Sequence, residues 1–279
     1  MKKWNMVIDV ARCEDCNNCF LADKDEFVGN DFLPHSLAQP WFGHRWMNIE
    51  RKERGQHPIV QVAYRPTPCL QCDDAPCIRD SPTGTVYKRD DGLVIIDPLK
   101  AKGHPEIVKT CPYEVIYWNE ELQLPQKCTG CAHLLDDGWT ETRCSEICPT
   151  SAITLVLAED AEMAKRVASE ELEVLRPELG AKPRVYYKNL YRWTKVFVSG
   201  SVAFRDTDEC AEGAKVTVKA GAATVGEGTV NNYGEFIVDK LDPDGKYAVT
   251  LEAPGYKAWS SSAVVDKSLN LGTIFLERS

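Results

Sequence analysis

The chain has no apolar run approaching the roughly 20 residues that a membrane-spanning helix needs, so direct membrane insertion is not expected. Its first residues, Met1-Lys2-Lys3-Trp4-Asn5-Met6, run straight into an alternating Val7-Ile8-Asp9-Val10. They lack a signal-peptide core and cleavage site, and the expected location is cytoplasmic unless a partner bears the export signal. Positive charge is in deficit: 33 lysines and arginines stand against 42 aspartates and glutamates. The resulting net charge of −9 argues against nucleic acid or an anionic membrane as partner of the whole chain. No Gly-rich phosphate loop, Ser–His–Asp set or paired-carboxylate arrangement stands out, and the five histidines show no ligand spacing. Cysteine is what the sequence has in excess. Of twelve, eleven lie between Cys13 and Cys148, and only Cys210 lies beyond.

The length of 279 residues allows one large domain or two ordinary ones, and a 43% hydrophobic, 27% charged composition is globular. The cysteines mark residues 1–157 as a first domain with little helical periodicity. Apolar positions 164, 167, 168 and 172 recur at helical spacing in a segment rich in helix formers, which predicts an amphipathic surface helix. The basic, aromatic stretch 182–195 (KPRVYYKNLYRWTK) reads as an extended strap, making 158–195 a helix-and-strap connector. From 196 the pattern changes to short alternating runs at 196–204, 214–220, 223–230, 235–241, 247–252, 256–265 and 269–276. Turn signals such as Asp242-Pro243-Asp244-Gly245 and Pro254-Gly255 separate several of them. The expected fold class is therefore α+β: a cysteine-rich domain over 1–157, then over 196–279 an antiparallel β-sandwich or barrel of about seven strands.

The cysteine groups are Cys13-x-x-Cys16-x-x-Cys19, Cys69-x-x-Cys72-x4-Cys77, Cys111-Pro112, Cys128-x-x-Cys131 and Cys144-x3-Cys148-Pro149. A disulfide framework needs an oxidising compartment, and a zinc ribbon leaves the third closely spaced cysteine of each triplet without use. An iron–sulfur cubane uses it. Thiolates at i, i+3 and i+6 reach three corners of the cube, and the fourth comes from elsewhere, often a Cys followed by Pro. In two-cluster ferredoxins that fourth ligand belongs to the other motif's cluster. Applied here, the rule joins Cys13, Cys16 and Cys19 to Cys148 as cluster one, and Cys69, Cys72 and Cys77 to Cys111 as cluster two. Cys128, Cys131 and Cys144 then need a partner at residue 23, which is aspartate. Eleven cysteines and Asp23 supply the twelve ligands of three 4Fe–4S clusters, which makes 1–157 a ferredoxin-like iron–sulfur domain. Three readings of Asp23 stand: ligand of the third cluster, neighbour of a 3Fe–4S or water-capped cluster, or solvated member of the Asp23-Lys24-Asp25-Glu26 charge run. Lys127 and Arg143 precede ligand cysteines and either raise that cluster's potential or cap local turns. Cys210 reads as a small buried hydrophobe.

The four-block cysteine plan resembles the iron–sulfur subunits of the dimethyl-sulfoxide-reductase class of molybdenum enzymes, whose pattern has four ferredoxin-like motifs and Cys where this chain has Asp23. Here the third block has shrunk to Cys111-Pro112-Tyr113 and the second ends with Ser81 in place of its fourth cysteine. Both losses fall on one cluster. Within that class, the stretches GHRWMNIER (43–51), RPTPC (65–69), CAHLLDD (131–137), PELG (177–180) and KPRVYYKNLYR (182–192) resemble the branch acting on polyhydroxylated benzenes. The resemblance covers essentially the whole chain. It implies a non-catalytic electron-transfer subunit of a molybdenum-dependent phenolic hydroxytransferase, in a heterodimer with a large subunit that alone holds molybdopterin guanine dinucleotide. It also implies a C-terminal domain similar to carboxypeptidase regulatory-like or transthyretin-like folds, read as a packing or docking module. Other expectations are the equivalent subunit of a resorcinol hydroxylase, a catechol dehydroxylase or a respiratory molybdenum oxidoreductase. From a different class, the expectation is a zinc-stabilised interaction protein.

Overall fold

In the computed structural model, which describes Met1–Ser279, the chain runs through β1 (Lys3–Asp9), α1 (Asn18–Phe27), the hairpin β2 (Asn48–Gln56) and β3 (Ile59–Thr67), and α2 (Pro76–Arg79). It continues through the short hairpins β4 (Val86–Lys88) with β5 (Val94–Ile96) and β6 (Tyr117–Asn119) with β7 (Leu124–Gln126). Then come α3 (Ala132–Asp136), α4 (Arg143–Glu146), β8 (Ile153–Ala158), α5 (Asp160–Ser169), β9 (Val185–Lys188) and α6 (Tyr191–Thr194). Seven strands finish it: β10 (Val196–Phe204), β11 (Lys215–Ala220), β12 (Ala223–Thr229), β13 (Glu235–Leu241), β14 (Gly245–Glu252), β15 (Trp259–Val265) and β16 (Leu269–Leu276). Two units result. One comprises Met1–Glu50 and Tyr64–Leu190, the other Arg51–Ala63 and Tyr191–Ser279.

In the first unit β1 is the middle strand of a three-stranded sheet, antiparallel to β8 and parallel to β9. Its apolar side chains Met6, Val7 and Ile8 are buried, which fits a strand flanked on both edges. The stretch 182–195 is thus not a surface strap throughout. Val185 and Tyr187 are buried in β9, and the Tyr187 hydroxyl donates to the Pro66 carbonyl at 3.0 Å. Helix α5 forms as expected, but its contact stripe is narrower than the sequence suggests. Met163 packs with Val7, Ala158 and Leu172, and Val167 flanks them, while Ala164 and Ala168 are exposed.

The second unit is a two-sheet sandwich, β13-β10-β16 facing β12-β11-β14-β15, so the alternation from 196 onward does encode seven strands. Inward residues Val198, Val202, Phe236, Val238 and Ile274 from one sheet and Val216, Val218, Val249 and Leu251 from the other make its core. Nearly all strands pair antiparallel, but β10 and β16 run parallel. Cys210 is exposed rather than buried, its Sγ near Gly234. A buried cation explains why 51–63 belong to this unit. Arg54 is 4% exposed and donates to both carboxylate oxygens of Asp239 at 3.0 and 2.9 Å, to Gln61 Oε1 at 2.7 Å and to the Lys195 carbonyl at 3.2 Å. Asp239→Asn leaves that guanidinium without its counter-charge and is expected to cost about 2 kcal/mol. Urea unfolding of the full chain reads it as a lowered midpoint; an unchanged midpoint contradicts the assignment.

Candidate metal centre

The first unit's strand pairing decides which cysteines meet. In the β1–β8 ladder Ile8 faces Ile153. Cys13 lies five residues after Ile8 and Cys148 five before Ile153, so two cysteines far apart in sequence leave the sheet at the same end. Cys16 and Cys148 both act electrostatically on Cys13 and on Cys19 there. Cys16 is exposed and Cys13 and Cys148 are half-buried, so this group lies shallow.

A shared backbone device shapes the loops. In the first Cys-x-x-Cys of three motifs the second spacer residue is left-handed: Asp15 at φ 57°, Gln71 at φ 50° and Gly130 at φ 70°. That conformation curls a short loop so that successive N–H groups face its concave side. Asp and Gln accept the strained geometry, whereas at Gly130 a Cβ would lie 2.9 Å from Leu93 Cδ2. The two Cys-Pro segments share another device. Glu114 and Ser151, each three residues after the cysteine, are left-handed at φ 58° and 49°. Backbone N–H groups of Tyr113 and Val115 accordingly hydrogen-bond Cys111, and those of Thr150, Ala152 and Ile153 hydrogen-bond Cys148. The lone Cys111 is therefore held like Cys148.

Cys69, Cys72, Cys77 and Cys111 line a single small cavity, walled by Leu70, Val94, Val115 and Ile116. Gln71 ties this region to the next motif, accepting from Val94 N at 2.7 Å and donating to the Cys128 carbonyl at 3.3 Å. Helix α1 carries both Cys19 and Asp23, one turn apart, and packs against α4, which carries Cys144. Asp23 is only 6% exposed, so it is not a solvated member of its charge run. Its charge acts on Cys128, Cys131 and Cys144, the three thiols that the sequence leaves without a fourth partner. Burial, partly opposed by the Gln39 hydrogen bond and by Lys24, pushes the Asp23 carboxyl up to about 7.

Sequence reading missed two supporting residues. Gln39 Nε2 donates to Asp23 Oδ2 at 3.1 Å and fixes that carboxylate, while Gln39 Oε1 has no partner. Thr142 caps α4 and places its hydroxyl 3.1 Å from Cys144 Sγ. The second had a local signal, since Thr142 begins a capping sequence with Ser145. Gln39 lies 16 residues from Asp23 and carried none.

All twelve cysteines are free thiols, and no three donor side chains close around one ion-sized point. Burial pushes Cys13 up to about 11 and Cys19, Cys77 and Cys128 up to about 12. For Cys148 burial also acts upward, but the backbone and Thr150 hydrogen bonds outweigh it and lower its pKa. Buried thiolates need positive charge among them, and a 4Fe–4S cubane supplies it.

Residues 60–158 match the 4Fe-4S dicluster domain family, and residues 198–274 match the carboxypeptidase regulatory-like domain family. The chain is 49% identical to the pyrogallol hydroxytransferase small subunit of Pelobacter acidigallici, across 99% of this chain and 100% of that one. It is 30% identical to a putative dimethyl sulfoxide reductase iron-sulfur subunit of Halobacterium salinarum, across 68% of this chain and 80% of that one. A tetrathionate reductase subunit of Salmonella typhimurium is 28% identical across 67% of this chain and 73% of its own length. Of these three, the first alone spans the front domain and the sandwich together.

Proposed function

Because the chain belongs to the family of iron–sulfur subunits that includes the pyrogallol hydroxytransferase small subunit, we propose that it serves a molybdenum-dependent hydroxytransferase of the pyrogallol-to-phloroglucinol type. In this reading it pairs with a large catalytic subunit that holds molybdopterin guanine dinucleotide, and the heterodimer resides in the cytoplasm. The observation that carries the proposal is likeness over the full length, 49% identical and including the β domain.

This chain's part is to hold and insulate electron carriers. Cys13, Cys16, Cys19 and Cys148 hold cluster one; Cys69, Cys72, Cys77 and Cys111 hold cluster two; Cys128, Cys131, Cys144 and Asp23 hold cluster three. The cavity ringed by Cys69, Cys72, Cys77 and Cys111 supports the second set, and the burial of Asp23 beside Cys128, Cys131 and Cys144 supports the third. When bound, each cluster supplies a one-electron carrier. Substrate chemistry belongs to the partner.

Iron and acid-labile sulfide per chain, measured on anaerobically purified protein with electron paramagnetic resonance before and after reduction, test the reading. About twelve irons with three reducible 4Fe–4S signals are expected. About eleven, with a 3Fe–4S signal in the oxidised sample, keep the subunit assignment and remove Asp23 from the ligands. Zinc without iron sinks the electron-transfer reading.

A further inference from the structure

Lys127 is 3% exposed, yet it carries a charge into the centre of the first unit. It follows β7 directly and precedes Cys128. Its ammonium donates to the Val94 carbonyl and to the Cys128 carbonyl at 3.1 Å, and hydrogen-bonds Cys69 as well. Three N–H donors thus meet three acceptors. The same side chain lines the cavity ringed by Cys69, Cys72, Cys77 and Cys111. The negative groups facing it are the sulfurs of Cys69, Cys77 and Cys128. Arg143, the other cation next to a ligand cysteine, differs. It pairs with Glu26 at 3.0 Å, with Glu146, and with Asp25 at 4.0 Å, so its charge is already balanced by carboxylates.

A buried cation without a carboxylate is tolerable only where other negative charge exists, and here that charge belongs to two different ligand sets. We propose that Lys127 is a shared potential-setting residue, one ammonium wedged between the Cys69 and Cys77 side of cluster two and the Cys128 side of cluster three. The inference rests on the cluster assignment above. Accepting an electron adds one negative charge to a cluster, and a cation in a dry, low-dielectric interior favours that state. Since the same ammonium faces both sets, it raises both potentials together and keeps their difference small. Cluster two, with two sulfurs facing it against one, gains more. Cluster one contributes none of the sulfurs that face Lys127.

The test is a redox titration followed by electron paramagnetic resonance, on the full chain co-purified with its catalytic subunit under anaerobic conditions and reduced stepwise with dithionite. In Lys127→Met two of the three midpoint potentials are expected to fall, by unequal amounts, while the third stays. Lys127→Arg is expected to return both toward the wild-type values. A shift in one potential alone, an equal shift in all three, no shift, or the same shift in Lys127→Arg overturns the proposal. If Lys127→Met loses iron, Lys127→Gln is measured beside it. Iron loss from two clusters in both neutral variants, with full retention in Lys127→Arg, supports the shared charge; loss in all three marks Lys127 as packing and overturns it. A wild-type chain without iron is a different failure, of the cluster assignment itself.

Discussion

Stripped of its iron, the chain is expected to lose the fold of the first unit while the seven-stranded sandwich remains. The first unit's interior is built around sulfur. Cys69, Cys72 and Cys77 are buried and, with Cys111, bring four thiols together among apolar neighbours. In the proposed assignment a cluster held by Cys13 and Cys148 also cross-links chain positions 135 residues apart. By the loop-closure argument used for disulfides, such a link is worth about 5 kcal/mol, which is comparable to the whole stability of an ordinary domain. The sandwich has its own core, from Val198 to Ile274, and uses no thiol. Anaerobic chelation followed by limited proteolysis reads the outcome. The expected product is a resistant core made of a fragment beginning near Tyr191 and the 51–63 segment that belongs to the same unit, with loss of near-ultraviolet circular dichroism from the rest. Complete digestion of the chain, or a front unit that survives without iron, contradicts the expectation.

Asp23→Cys is expected to lower the potential of cluster three and make its fourth iron harder to lose. A carboxylate is a harder, weaker donor to iron than thiolate, so its corner exchanges or sheds metal more readily. Its environment is also unusual for an anion. Asp23 is 6% exposed, and its fixed hydrogen bond is the one from Gln39. Thiolate donates more electron density and is at home among buried apolar groups. The variant should therefore show a full 4Fe–4S signal after brief air exposure that converts wild-type protein to a 3Fe–4S signal, together with a lower midpoint for that cluster alone. An identical spectrum and iron content in the two proteins means that Asp23 is not a ligand.

Much of this arrangement is written locally. The second-domain strands alternate at period two between turn residues, and β10, β13 and β16 begin and end where the alternation does. Cys-x-x-Cys spacing dictates which loops curl, and the four-residue step from Cys19 to Asp23 is one turn of α1. Other features depend on partners far away along the chain. Tyr187 is fully buried because β9 adds itself to β1, and the polar tip of the β2–β3 hairpin joins the second unit because Arg54 finds Asp239, 185 residues on. Gln39 holds Asp23 from a segment with no regular periodicity. Cys210 looks like a core residue by type, but its place beside Gly234 leaves it in solvent. Distance in sequence, rather than chemistry, separates what could be read from what could not.

The closure of β1 against β8 also has a consequence for biosynthesis. A chain emerging from the ribosome carries Cys69, Cys72, Cys77 and Cys111 once residue 111 is out. In the proposed assignment Asp23 waits for Cys144, and Cys13 waits for Cys148 and for β8 behind it. At about 10 residues per second, synthesis of the intervening stretch takes several seconds. Nascent chains can thus offer one complete set of four thiols early, and the shallow site containing Cys16 comes last, when β1 and β8 zip together.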